Sequence, residues 1–157
     1  MMCGRFLEPV PKGYAPVEWN AVGDAHASSI VYAAQVKIHR SIGLDVTSQV
    51  HMAAPEFRRI FRDIPLFGPI LDWAEVWFRD YPGSTFHDPL AAATIFEPSL
   101  CTYRAGNVAV DLVPGDSFGL TRWTPGEASA PHTIADAVDA SRFFAHFLSV
   151  VTEKAAA

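Results

Sequence analysis

Phe86-His87-Asp88-Pro89-Leu90-Ala91-Ala92-Ala93 sets an imidazole and a carboxylate side by side at the start of a run of small residues. Proline suits the first helical position, where its missing N–H would be unpaired anyway, and an aspartate just before it is a good N-cap. A helix is therefore expected from Pro89 to Phe96, ending before Pro98, with His87 and Asp88 at its mouth. On local chemistry alone, Asp88 reads as an ordinary cap.

Upstream, Asp24 is a plausible N-cap for a helix through Ala34 that carries Ile30, Val31 and Ala34 at helical spacing. Val36 to Leu44 alternates apolar and polar residues and reads as a strand ending at Gly43-Leu44-Asp45. Pro55 opens a helix over Glu56 to Ile64 with Phe57, Ile60, Phe61 and Ile64 on one face. A further helix runs from Ile70 to Tyr81, with Trp73, Val76 and Trp77 recurring at helical spacing. Downstream, Leu100–Tyr103 and Val108–Val113 flank Arg104-Ala105-Gly106-Asn107, a hairpin signal. His132 to Val138 reads as a last strand, and Asp139 caps a closing helix that buries Phe143, Phe144, Phe147 and Leu148. Strands alternating with helices point to an α/β layered fold with an added antiparallel hairpin.

The 157 residues, half of them hydrophobic, suffice for one domain, 1–157, with a real core. Twelve basic against seventeen acidic residues give a formal charge of −5 with no basic run, so a nucleic-acid polymer is not an expected partner. Cys3 and Cys101 form no CxxC pair, which argues against a disulfide framework and fits a cytoplasmic protein. Met1 to Gly13 has no apolar run after a basic start, and no uncharged stretch of about 18 apolar residues occurs, so neither a leader nor a membrane partner is expected. His26, His39, His51, His132 and His146 show no metal-ligand spacing, and Asp45 and Thr47 are expected to serve a strand-end turn. Trp19 reads as core, and Trp123, Phe118 and Tyr81 are candidates to line a ligand pocket, although aromatics in a chain this apolar are more often core.

Two more stretches, Val17-Glu18-Trp19-Asn20 and Gly43-Leu44-Asp45-Val46-Thr47, precede His87-Asp88-Pro89-Leu90 in the chain. Their order and spacing resemble the C-terminal half of the inosine-uridine preferring nucleoside hydrolases, which cleave the N-glycosidic bond of ribonucleosides. The resemblance runs from about Met2 to the last helix, and Met2-Cys3-Gly4 looks like the family's Met-Gly-Gly segment at the end of an internal strand. It implies a Rossmann-like α/β fold and a ribonucleoside substrate. Asp88 matches a family ligand of calcium, and His87 matches a residue held to assist departure of the base. Glu18 and Asn20 match the family's Glu-x-Asn, which binds the ribose toward its 5′-hydroxyl.

The sequence also departs from the family. Lys12 stands where many relatives carry a sugar-binding asparagine, and no Asp-x-Asp-x-Gly-x-Asp-Asp run matches the aspartate cluster that supplies most calcium ligands and the general base. The family's threonine-containing calcium loop has no counterpart either. Calcium prefers about six to eight oxygen ligands, so Asp88 is a fraction of a site. The chain is thus expected to be a partial nucleoside hydrolase domain with an incomplete calcium site, nearly inactive alone, acting as a homo-oligomer or with a separate N-terminal half. The alternative is a non-catalytic ribosyl-binding or interaction module.

Overall fold

The computed structural model describes residues 1–155. Two short helices come first, α1 (Trp19–Gly23) and α2 (Ala25–Ala33), then β1 (Arg40–Ser41) and the single-turn α3 (Leu44–Thr47). Next come β2 (His51–Ala53), α4 (Ala54–Phe61), α5 (Gly68–Trp77), β3 (Gly83–Thr85) and α6 (His87–Phe96). The chain closes with β4 (Cys101–Val110), β5 (Thr121–Pro125), β6 (His132–Val138) and α7 (Ala140–Ala155). A mixed four-stranded sheet has the order β1-β6-β4-β5, with β1 parallel to β6 and the other pairs antiparallel. β2 and β3 form a separate antiparallel pair. Residues 1–4 run along β1: the Met1 amine donates to Arg40 O, Ile42 N–H to Met1 O and Leu44 N–H to Gly4 O.

The main core lies between the sheet, α4, α6 and α7. Ile42, Val46, Val50, Leu90, Leu100 and Phe143 are among its fully buried side chains, with Phe57, Phe61, Phe67 and Phe86 around them. Phe86 is the hub, with its ring centroid 5.2 Å from Phe144, 5.6 Å from Phe147 and 6.1 Å from both Phe57 and Phe143. The expected caps at Asp24 and Asp139 hold, accepting from the Ala27 and Arg142 amides at 2.9 Å.

Four expectations need correction. Arg104–Asn107 is no turn: it runs through the middle of β4, and the antiparallel partner β5 follows after the loop 111–120. The strand expected over Val36–Leu44 pairs with β6 only at Arg40–Ser41: β6 begins at His132, so Val36 and Ile38 lie before it and are exposed, and Leu44 already belongs to α3. On α2 the buried face is Ala25, Ser28 and Tyr32, while Ile30 and Val31 point outward. α5 buries none of its residues: Trp73 is 74% exposed, and Val76 and Trp77 are also open, since no layer of the described residues covers that face.

A second buried cluster joins Tyr32, His39 and His132. His39 stacks on Tyr32 at 5.1 Å and meets the edge of His132 at 4.8 Å. His132 Nδ1 accepts from the Val108 amide at 3.0 Å, so its proton sits on Nε2, 2.7 Å from the Tyr32 carbonyl. Burial, reinforced by His132 and the N-terminal ammonium, holds the His39 imidazole below its ordinary value. The folded chain therefore takes up a proton there less readily than the unfolded chain. Stability from this site is present above about pH 6.5 and is lost as pH falls below that toward the folded value. Thermal melts from about pH 7.5 to about pH 5 are expected to show this decline, with a shallower one in His39→Phe, which keeps the stack. An unchanged slope in the variant would rule out His39 as the source.

Candidate functional site

Glu18 precedes α1 in extended conformation and caps it with its own carboxylate. Oε1 accepts from the Asn20 amide at 2.9 Å, and Oε2 accepts from Ala21 at 3.0 Å and Gly4 at 2.9 Å. Only 5% of the residue is exposed, so it is a buried anion satisfied by three backbone donors rather than a solvated side chain. Oε1, with one partner, keeps a lone pair. Asn20 sits two residues on, in the first turn of α1, and its Nδ2 donates to the Met2 carbonyl at 3.2 Å, which leaves Oδ1 without a protein partner among the described residues.

The helix entrance differs from its expected form. α6 starts at His87, two residues earlier than expected, with Phe86 at the N-cap and Asp88 inside the first turn. The reason is that Phe86 is anchored: its ring is in the core, its N–H donates to Val50 O at 2.8 Å, and its carbonyl accepts from Leu90 at 3.1 Å. Asp88 is thereby relieved of capping, and no side-chain bond engages its carboxylate among the described residues. A negative charge in the first turn is also favoured by the helix dipole.

His87 Nδ1 lies 2.7 Å from the Thr47 hydroxyl, and the ring meets Tyr14 edge-on at 6.2 Å. Burial holds the imidazole below its ordinary value, against the upward pull of Asp88 and Glu18.

Glu18, Asn20, His87 and Asp88 line one cavity of about 630 Å³, together with Tyr14 and Trp19. The chain stretches that carry them are far apart in sequence and meet through α3: α6 packs on it, and Glu18 at the head of α1 accepts from Gly4, whose carbonyl accepts from Leu44 N–H. Trp19, expected in the core, is 83% exposed on the cavity's rim. Trp123, Phe118 and Tyr81 lie elsewhere: Trp123 under the Arg104 guanidinium, Phe118 beside His26, and Tyr81 stacked on Trp77. Asp45 and Thr47 belong to α3 rather than a strand-end turn. The Asp45 carboxylate accepts from the Phe6 and Leu7 amides at 2.8 and 2.9 Å, and Thr47 reaches His87. Thr47 and Tyr14 are the contacts that residue-type reasoning missed. The Gly43–Thr47 motif was the available signal for Thr47, whereas nothing in the sequence singled out Tyr14.

No three His, Cys, Asp or Glu side chains converge as metal ligands among the described residues. No helix among them is long and apolar enough to cross a membrane.

A family profile described as inosine-uridine preferring nucleoside hydrolase matches residues 1–145. Among solved structures, a plant nucleoside hydrolase is similar at 26% identity and TM-score 0.69, over 82% of this chain and 45% of that one. A purine-preferring ribonucleoside hydrolase from Gardnerella vaginalis is similar at 25% identity and TM-score 0.72, over 99% of this chain and 50% of that one. An inosine-uridine preferring nucleoside hydrolase from Bacillus anthracis shares the fold, at 24% identity and TM-score 0.69, over 98% of this chain and 50% of that one. This chain spans about half the length of the structures it matches. No curated protein matches it significantly.

Proposed function

The chain belongs to the inosine-uridine preferring nucleoside hydrolase family, and from that premise we propose that the cavity between α1 and α6 takes the ribosyl part of a ribonucleoside and serves hydrolysis of its N-glycosidic bond. The observation that supports the reading most is the meeting of Glu18, Asn20, His87 and Asp88 on one cavity.

Breaking a ribosyl–base bond builds positive charge on the sugar and negative charge on the departing base. Asp88, uncommitted, accepts from ribose hydroxyls. Asn20 Oδ1 and the spare lone pair of Glu18 Oε1 accept at the 5′ end of the sugar. His87, with Nδ1 tied to Thr47, has Nε2 left to donate toward the base.

Calcium prefers about six to eight oxygen ligands. Glu18 commits its carboxylate to three backbone amides and keeps one lone pair on Oε1, and Asp88 is the other carboxylate lining the cavity. The described residues do not make a calcium cage. For the same reason this chain is proposed to bind a ribonucleoside more readily than to turn it over, with the remaining groups coming from a further copy or a separate N-terminal half. The open apolar face of α5 suits such an association. Cys3 and Cys101, both free and buried, fit a reducing, cytoplasmic setting.

The test is ligand protection. Inosine or uridine is expected to raise the melting temperature saturably, while 2′,3′-dideoxy nucleosides, which lack the diol for Asp88, are expected to give none. No protection by millimolar ribonucleoside, or equal protection by the dideoxy compounds, would overturn the reading.

A further inference from the structure

Thr47 is fully buried on α3, and its hydroxyl has a single hydrogen-bond partner among the described residues, the Nδ1 of His87 at 2.7 Å. We propose that Thr47 is a positioning residue: its hydroxyl donates to His87 Nδ1 and so holds the neutral imidazole as the tautomer that carries its proton on Nε2. The role assigned to that proton rests on the ribonucleoside reading, whereas the tautomer itself does not.

A buried hydroxyl left without an acceptor forfeits the hydrogen bond it would make in water, a penalty of about 1–3 kcal/mol. Nδ1 is the acceptor in reach, and it accepts only when it carries no proton. The neutral ring must then be protonated at Nε2, since the state of one ring nitrogen is set by the bond the other makes. The opposite arrangement, Nδ1–H donating to the hydroxyl, would strand the threonine proton in the core.

The hydroxyl is also well placed to act as a fixed point. Leu44 N–H donates to Gly4 O at 2.9 Å, and a Cβ on Gly43 would come within 2.8 Å of that same oxygen, so the backbones touch where only glycine fits. Asp45 grips the Phe6 and Leu7 amides one residue further on. The Gly43–Thr47 turn therefore clamps the N-terminal segment with one side chain and His87 with another, while Tyr14 bounds the ring at its edge. An Nε2–H offers a donor to a base gathering negative charge. The other tautomer would offer it a lone pair and repel it.

The test uses the full chain labelled with ¹⁵N-histidine at about pH 8.5, roughly two units above the ordinary imidazole value. The His87 signals are identified by their loss in His87→Gln. The ring-nitrogen shifts of the wild type are expected to report the Nε2–H tautomer as the dominant form. Thr47→Ser, which keeps the hydroxyl, is expected to retain it, and Thr47→Val, which keeps the shape, to give a mixture with the Nδ1–H form raised several-fold. A wild type dominated by Nδ1–H overturns the proposal, as does a folded Thr47→Val with unchanged tautomers. Should Thr47→Val not fold, the wild type and Thr47→Ser decide. Ribonucleoside protection is scored separately, so a correct tautomer without protection refutes the functional reading and leaves the positioning role standing.

Discussion

Glu18→Ala is expected to lower the unfolding free energy by about 3 kcal/mol, read from the denaturant midpoint, a large part of the ~5–15 kcal/mol typical of a domain. The carboxylate satisfies the amides of Gly4, Asn20 and Ala21, and it joins residues 1–4 to α1 as well as starting that helix. Hydrogen bonds to a charged group contribute about 1.5–3 kcal/mol each, and removing the acceptor leaves the donors unpaired where little water reaches. Water entering from the cavity side offsets part of the loss, which is why the expected cost is that of one or two such bonds and not three. Glu18→Gln, which keeps one acceptor oxygen, is expected to fall between the two. A loss below about 1 kcal/mol would mean that the carboxylate acts as a simple cap. Because Glu18 supports the fold in this way, its loss is a poor probe of sugar binding. Asn20 and Asp88, whose acceptor oxygens carry no structural duty, are the clean ones.

Phe86→Ala is expected to cost about 3–5 kcal/mol, the range for deleting a buried aromatic ring. The ring sits among Phe57, Phe61, Phe143, Phe144 and Phe147, drawn from α4 and α7, so the cavity left behind cannot collapse without moving two helices. Phe86→Leu, which refills most of the volume, is expected to cost well under half as much. The same residue caps α6 and immediately precedes His87 and Asp88. The alanine variant is therefore expected to lose ribonucleoside protection even at temperatures where it remains folded. Retained protection in a destabilised Phe86→Ala would show that the helix mouth is held by something other than this ring.

The two variants also mark where the sequence was legible. α4 and α7 were readable because each has a strong local signal: Phe57 and Phe61 at helical spacing in the one, the Asp139 cap and Phe143, Phe144 and Phe147 in the other. Arg104–Asn107 misled because Gly106 looks like a turn residue, whereas it serves close approach. A Cβ there would come within 2.4 Å of the Trp123 indole nitrogen across the β4–β5 pair. On α5 the spacing of Trp73, Val76 and Trp77 is genuine, but spacing says which residues share a face and not whether anything covers it. The candidate site was named by resemblance rather than by local chemistry, which assigned Asp88 to capping. What local rules could not supply was the anchoring of Phe86, a tertiary contact that shifts the helix start and frees the carboxylate. Thr47 stayed hidden for a similar reason: its partner lies forty residues away.

The central claim is that residues around α1 and the mouth of α6 form a single ribosyl pocket, and titrating inosine into the ¹⁵N-labelled chain tests it most directly. The Asn20 side-chain amide and the His87 ring signals are expected to move together and saturate at one common affinity, with both responses abolished in Asp88→Ala. Independent responses, or shifts confined to the separate cavity lined by Tyr32 and His132, would contradict it.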